Sequence, residues 1–367
     1  MKTRLILLCG LAVSCAASRG QDPLTTALTN QVDPRSVAMG EGFVAVRGNG
    51  AALMYNPAGL AGSSETGIAY AYREVNWTGT LGKFDYHSVV ATIPTPFATF
   101  GIMYSRNDEG EFIETASNQQ TPLGFEDVGT AAIHNDVFAI GASHSFDFGL
   151  DVGICAKTFG YGVSAHPPGS FRLFDGITRP YLFDVGVLYG CGGPLSGERI
   201  SDMLTIGASA QNFGTDMKFP DGTSERAPRY LRVGFSYAVS LLGPAPESLR
   251  PLAILLTGEY RNHANADSDY NDYWGIGVES TWLETLSLRV GGIASPMTYI
   301  YGKRGSLAIR YGLGLNIPLN RLGISDRLVV RGEYTAIPLR LDPMFSGFFL
   351  NTRAQLDVWG ASIGYRL

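Results

Sequence analysis

The sequence predicts an all-β protein: a transmembrane antiparallel β-barrel of about 14 strands with an N-terminal plug segment in its lumen. The first observation is strict alternation. From about residue 66 onward, apolar positions such as Leu307, Ile309, Tyr311, Leu313 and Leu315 interleave with Ser306, Ala308, Arg310, Gly312, Gly314 and Asn316. Leu231, Val233, Phe235, Tyr237 and Val239 alternate likewise with Arg232, Gly234, Ser236 and Ala238. Successive side chains of a strand point to opposite faces, so each run has one apolar face. A soluble sandwich would fill the other face with Lys and Glu. Here that face is mostly Gly, Ser, Ala and isolated charges, which suits a tight lumen behind a lipid-facing wall.

The second observation is the count and spacing of the runs. Strands are expected at 66–75, 83–93, 96–105, 135–145, 149–158, 181–190, 202–211, 229–239, 251–261, 273–281, 285–293, 306–316, 327–336 and 354–366. An even number fits a single-chain bacterial barrel. The connections alternate in length: 106–134, 159–180 and 337–353 are long, whereas 94–95, 146–148 and 282–284 are short. Long outer loops and short periplasmic turns produce that pattern. The third observation is composition. Charged residues make up 17%, yet mean hydropathy is only +0.05, and no apolar run past the N-terminus is long enough for a membrane helix. A net charge of −5 argues against a nucleic-acid binder, which needs a basic face.

Taken in order, residues 1–20 read as an export signal peptide. Lys2 and Arg4 precede an apolar stretch from Leu5 to Val13, and Ser14, Ala16, Ala17 and Ser18 offer small residues before a cleavage between Ala17 and Gln21. A rival lipoprotein reading of Leu11-Ala-Val-Ser-Cys15 is weakened by Ala12, a poor residue three before the cysteine. The plug is expected over 21–65 and the barrel over 66–367. Of the two cysteines left after cleavage, Cys155 shares an inward face with Asp151 and Lys157, and Cys191 points outward. Opposite faces do not bridge without twisting a strand, so no disulfide is expected.

The plug carries the most specific motif: Asp33-Pro-Arg-Ser-Val-Ala-Met39-Gly40-Glu-Gly-Phe-Val-Ala-Val, then Ala51-Ala-Leu-Met-Tyr-Asn56-Pro57-Ala58-Gly-Leu60. Pro57 fixes its own φ and keeps Asn56 out of the helical region, while the Asn side chain bonds nearby backbone in a turn. This motif resembles the N-terminal plug of the FadL-like outer-membrane proteins, and more closely that of the PorV/PorQ branch. The resemblance covers roughly residues 33 to 61 and implies a fourteen-stranded barrel closed by this segment. At Arg47-Gly48-Asn49-Gly50 the sequence departs from the acidic residues usual in that branch.

The inward faces predict a set of lumen charges: Arg232, Glu259, Arg261, Glu279, Arg289, Arg310, Arg331 and Glu333. Two readings stand: structural pairing that braces wall against plug, or a charge-selective path for an anion. The segment 107–134, with Asp108, Glu109, Glu111, Glu114, Glu126 and Asp127 and no Lys beside them, is expected to be a solvated outer loop. Phe345, Phe348 and Phe349 crowd another loop, which points to contact with lipid, a hydrophobic ligand or a partner, or to a local fold into the barrel mouth.

No catalytic, cofactor-binding or metal site is legible. Asp267-Ser-Asp269-Tyr-Asn271 lacks the central Gly and terminal Glu of a calcium loop. The histidines at 87, 134, 144, 166 and 263 show no ligand spacing, and no nucleophile elbow, Walker loop or zinc motif occurs. The chain is therefore expected to be no enzyme. Its partners are outer-membrane lipid and either a hydrophobic ligand or the components and cargo of a secretion system. The PorV/PorQ resemblance implies an accessory of type IX protein secretion; the wider FadL-like resemblance implies uptake of hydrophobic small molecules. Kinship within so large a group does not by itself fix the task.

Overall fold

The computed structural model describes residues 28, 33–76, 83–117, 125–166, 178–219, 222–242, 250–264, 272–294, 307–320, 322–340 and 353–366. The signal segment 1–20, the start of the plug region and the phenylalanine loop with Phe345, Phe348 and Phe349 lie outside them.

A short helix, α1 (Pro34–Ala38), and two 3-10 turns (Gly50–Met54 and Pro57–Leu60) precede the strands. The strands are β1 (Glu65–Asn76), β2 (Lys83–Pro94), β3 (Thr99–Ser117), β4 (Phe125–Ser145), β5 (Leu150–His166), β6 (Tyr181–Gly192) and β7 (Ile200–Gly214). A small separate ribbon of β8 (Met217–Lys218) and β9 (Ser224–Glu225) follows. Then come β10 (Tyr230–Leu241), β11 (Leu252–His263), β12 (Tyr273–Trp282), β13 (Leu286–Ala294), β14 (Leu307–Pro318), β15 (Leu328–Arg340) and β16 (Arg353–Arg366). Without β8 and β9 the strands form one closed barrel in which every neighbour is antiparallel and β16 pairs with β1. All fourteen expected strands are present.

The register follows the alternation. Leu231, Val233 and Phe235 are 46%, 51% and 41% exposed on the outside, whereas Arg232 and Ser236 are buried inside. Leu307 through Leu315 expose every second residue in the same way. Apolar side chains exposed all round a closed barrel have one favourable solvent, the lipid acyl chains, and closure leaves no unpaired sheet edge in it. The protein is therefore an outer-membrane β-barrel. Cys155 is buried on the inner face and Cys191 exposed on the outer, and both are free.

Two expectations need correction. The acidic stretch 107–134 is not simply a loop: β3 continues to Ser117 and β4 begins at Phe125, with register shifts between Asp108 and Glu111 and between Glu114 and Thr115. A two-stranded ribbon satisfies its backbone whatever its side chains carry, so polar composition did not stop the strands. The connection 212–228 likewise holds the β8–β9 ribbon. At the start of that connection Asn212 adopts φ 61°, which Asn tolerates, and its N–H donates to Asp184 Oδ1 at 2.8 Å across a bulge in the β6–β7 pairing.

The end bearing the short connections 95–98, 146–149 and 283–285 also carries the first residue of β1 and the last of β16, and by the rule that short turns face the periplasm it is the expected periplasmic end. In a Cys191→Ser background, a cysteine placed at the exposed Thr130 should react with an impermeant maleimide on intact cells. One placed at Gly193 should react only after the outer membrane is permeabilised. Labelling of Gly193→Cys on intact cells would reverse the orientation.

Candidate functional site

Residues 33–61 pack against inward-facing residues of the barrel wall. Three short polar turns shape this segment, each an Asp or Asn followed by Pro or Gly. Asp33 caps α1 by accepting the Ser36 N–H on Oδ2 at 2.7 Å. Asn49 Oδ1 accepts the Ala51 N–H at 2.7 Å, and Asn56 Oδ1 accepts the Ala58 N–H at 3.1 Å. Such caps supply partners to a backbone that has neither helix nor sheet to complete it. Asn56 does more. Its Nδ2 donates to Val44 O at 2.8 Å and to Val187 O on β6 at 3.1 Å, tying the two halves of the segment to each other and to the wall.

Glycines on the wall make the fit possible. A Cβ at Gly186 would stand 1.8 Å from Asn56 Oδ1, and one at Gly153 2.2 Å from Ala58 N, beside Pro57. On the opposite side a Cβ at Gly277 would lie 2.5 Å from Met39 O, and one at Gly291 2.4 Å from Gly40 N. Gly40 itself has φ 63°, a conformation side chains disfavour. The Met39 side chain packs with Phe43, Leu53, Tyr55 and Met103 in the largest buried cluster.

Of the predicted lumen charges, Glu259, Arg232, Glu279 and Arg310 meet this segment. Glu259 Oε2 accepts the Phe43 N–H at 2.9 Å and the Val44 N–H at 2.8 Å, while Oε1 pairs with Arg232. Arg232 also donates to Gln211 Oε1 at 2.7 Å and Tyr273 Oη at 2.9 Å, and its guanidinium lies 4.9 Å from the Tyr55 ring centre. Arg261 stacks between Tyr230 and Tyr273 at 4.5 and 4.1 Å. Glu279 is gripped by Arg35 of α1 at 2.7 Å and by Arg289 at 2.6 Å. Arg289 continues to Glu333 at 2.9 Å, Arg310 reaches Glu41 at 2.8 Å, and Arg331 reaches Glu65 at 2.7 Å. Of the two readings of these charges, the geometry supports bracing.

Several partners were not legible in the sequence. Arg35 and Glu41 belong to the segment, which has no periodicity to assign them a face. Arg47, singled out only as a departure from a family pattern, pairs with Asp151 at 2.7 Å and donates to Gly149 O at 2.9 Å. Lys157 and Asp184 form a further buried pair.

The contact between segment and wall is uneven. Against β5, β7, β12 and β13 it is backbone to backbone, and against β6 it is made by the Asn56 and Pro57 side chains. Against β1, β2 and β16 a cavity of about 300 Å³ remains, running from Glu65, Thr92 and Gly364 at the short-turn end to the row Ala71, Ser88 and Ser105 in mid-wall. Met54, Val90 and Met103 give it an apolar side; Asp33, Arg331 and Glu333 give it a polar one. Burial, with the Glu333 carboxylate facing it, raises the Asp33 carboxyl to about 6. Beyond the cavity, Val37, Tyr86, Ile337, Leu356 and Val358 pack together and close the way outward. A second space of about 240 Å³ lies between Arg35, Arg47 and the inner faces of β7, β10, β11 and β12.

No protein-family model matches this chain, and no curated protein matches it. Among solved structures, the Ralstonia pickettii toluene transporter TbuX is similar over 93% of this chain and 99% of its own, at 11% identity and a TM-score of 0.48. The CymD monoaromatic hydrocarbon channel is similar over 92% and 97%, at 10% identity and 0.46. A Pseudomonas aeruginosa FadL homologue is similar over 89% and 96%, at 10% identity and 0.39. Likeness this low transfers neither ligand nor mechanism.

The Glu259 pairing has a measurable consequence. Glu259→Ala strands the buried Arg232 charge and two segment N–H groups, and should cost about 3–5 kcal/mol in chemical unfolding. Replacing both, as Arg232→Met with Glu259→Leu, should restore a good part of the loss. Equal loss in the single and double variants would mean that the pair does not act as a unit.

Proposed function

We propose that the protein is a gated outer-membrane channel for small hydrophobic or amphipathic molecules. In this reading residues 1–20 direct export, 21–65 form the plug and 66–367 the barrel, and the chain is a conduit rather than an enzyme. One observation carries the proposal: the plug is seated backbone against backbone on β5, β7, β12 and β13 but leaves a cavity against β1, β2 and β16. That cavity has apolar and hydroxyl-bearing sides and ends at a small apolar cluster, which is the arrangement of a closed gate. Passage then needs displacement of side chains around Val37 and Tyr86 rather than expulsion of the whole plug.

A second reading, an accessory of type IX secretion, is favoured by the Met39-Gly40 and Asn56-Pro57-Ala58 motif alone. Nothing in the lumen geometry speaks for secretion partners, and the channel reading is preferred.

The test is uptake into proteoliposomes. Filling the cavity with Ala69→Phe should lower entry of a small amphipath toward the protein-free rate while the barrel stays heat-modifiable. Deleting residues 33–61 should raise both entry and single-channel conductance. Unchanged uptake in the filled variant would overturn the proposal, and impaired surface display of secreted cargo in that variant would favour the second reading.

A further inference from the structure

The row just beyond the cavity holds an anomaly. Asn107 on β3 is fully buried, and among the described residues neither its Oδ1 nor its Nδ2 finds a hydrogen-bond partner. A carboxamide offers two donors and an acceptor, and burying both ends unsatisfied costs free energy at each. Buried amides are almost always bonded, so an orphan of both kinds at one side chain marks a place where a polar group binds.

Its position tells what that group belongs to. Asn107 lies directly opposite Tyr86 on β2, on the same inward face as Ser105, two residues and about 7 Å along the strand. Ser105 and its cross-strand partner Ser88 form the outer limit of the cavity. The deeper lining is apolar, with Met54, Val90 and Met103. Asn107 does not itself line the cavity, so the head of an amphipath whose apolar body lies on those three residues would reach it only past the two small serines and with a shift of the Tyr86 side chain opposite.

We infer that Asn107 receives the head group of an uncharged amphipathic molecule held in this cavity, a head that both donates and accepts a hydrogen bond, such as an alcohol or primary amide. This deepens the channel reading and rests on it. A carboxylate would satisfy Nδ2 but face Oδ1 with like charge, and an ammonium would do the reverse. Of the ionic groups nearby, Arg331 is paired with Glu65, Glu333 with Arg289 and Arg35 with Glu279, while Asp33 accepts the Ser36 N–H and Arg73 lies over the Tyr86 ring. At roughly 30 Å³ per non-hydrogen atom, the 300 Å³ cavity takes about ten such atoms.

The experiment compares binding of 1-octanol, 2-octanone, octanoate and octylammonium to the full-length barrel in nanodiscs, with empty nanodiscs subtracted. Octanol should bind best and octanone, which only accepts, more weakly. Asn107→Leu should cut octanol affinity by roughly tenfold, the worth of one or two hydrogen bonds, and bring it level with octanone. Octanol affinity unchanged in Asn107→Leu would mean that the amide serves only an internal water, and it would overturn the inference. So would tighter binding of either ion, or no octanol binding at all. If Asn107→Leu does not assemble, Asn107→Ser is judged by the same criterion. Octanol entry into proteoliposomes that ignores Asn107 refutes this site and leaves the channel standing. Asn107-dependent binding without entry refutes the channel and leaves the site.

Discussion

The interior of this barrel depends on carboxylates that reach from the wall to a backbone with few other partners. An irregular segment inside a membrane-embedded lumen must find a partner for every N–H and C=O, since lipid offers none. Glu259 meets that need for Phe43 and Val44 together and balances its own charge on Arg232. Two side-chain ion pairs, Glu279 with Arg35 and Glu41 with Arg310, add to this hold, one partner from the segment and one from the wall in each case. Buried charges this close are tolerable only in pairs with good geometry, so losing one member disturbs both surfaces.

Shape completes what charge begins. The small residues that alternate with lipid-facing Leu, Val and Phe are the floor on which the segment lies. Where both sides are glycine, at Gly40 against Gly291 and Gly292, the backbones touch. Along β1, β2 and β16 the inner face is also small, with Gly67, Ala69, Ser88 and Gly364, yet the segment approaches it only at points such as Gly50 against Val90 and Pro34 against Gly360 and leaves a cavity between. The same composition therefore yields a tight seat on one side and a cavity on the other. The course of residues 48–51 and 62–65 decides which, and the proposed route for a small molecule follows from that asymmetry.

The strands were legible because each reports its two environments at every residue. Arg232, Arg289 and Glu333 could be placed inside on parity alone. Their partners could not. Arg232 stands directly opposite Arg261 in the ladder and pairs diagonally with Glu259 instead. Arg289 reaches past β14 to Glu333 on β15, through space that Gly314 leaves open: a Cβ there would lie 2.7 Å from the guanidinium. Long side chains in a narrow lumen choose partners in three dimensions, and ladder order is a poor guide to them. The orphaned Asn107 is invisible in sequence for the same reason, since Asn at an inward position reads as ordinary lumen polarity. The Asn56 turn was legible because its bonds are local, whereas its grip on Val187 was not.

Hydrogen exchange tests the central claim most directly. If wall carboxylates hold the segment in the lumen, the Phe43 and Val44 amides of the native barrel in bilayer nanodiscs will exchange as slowly as barrel-strand amides. They will speed up selectively when Glu259 is neutralised to Gln. Exchange of residues 36–46 at the rate of an unstructured peptide in the intact protein, with the strands still protected, would contradict the account.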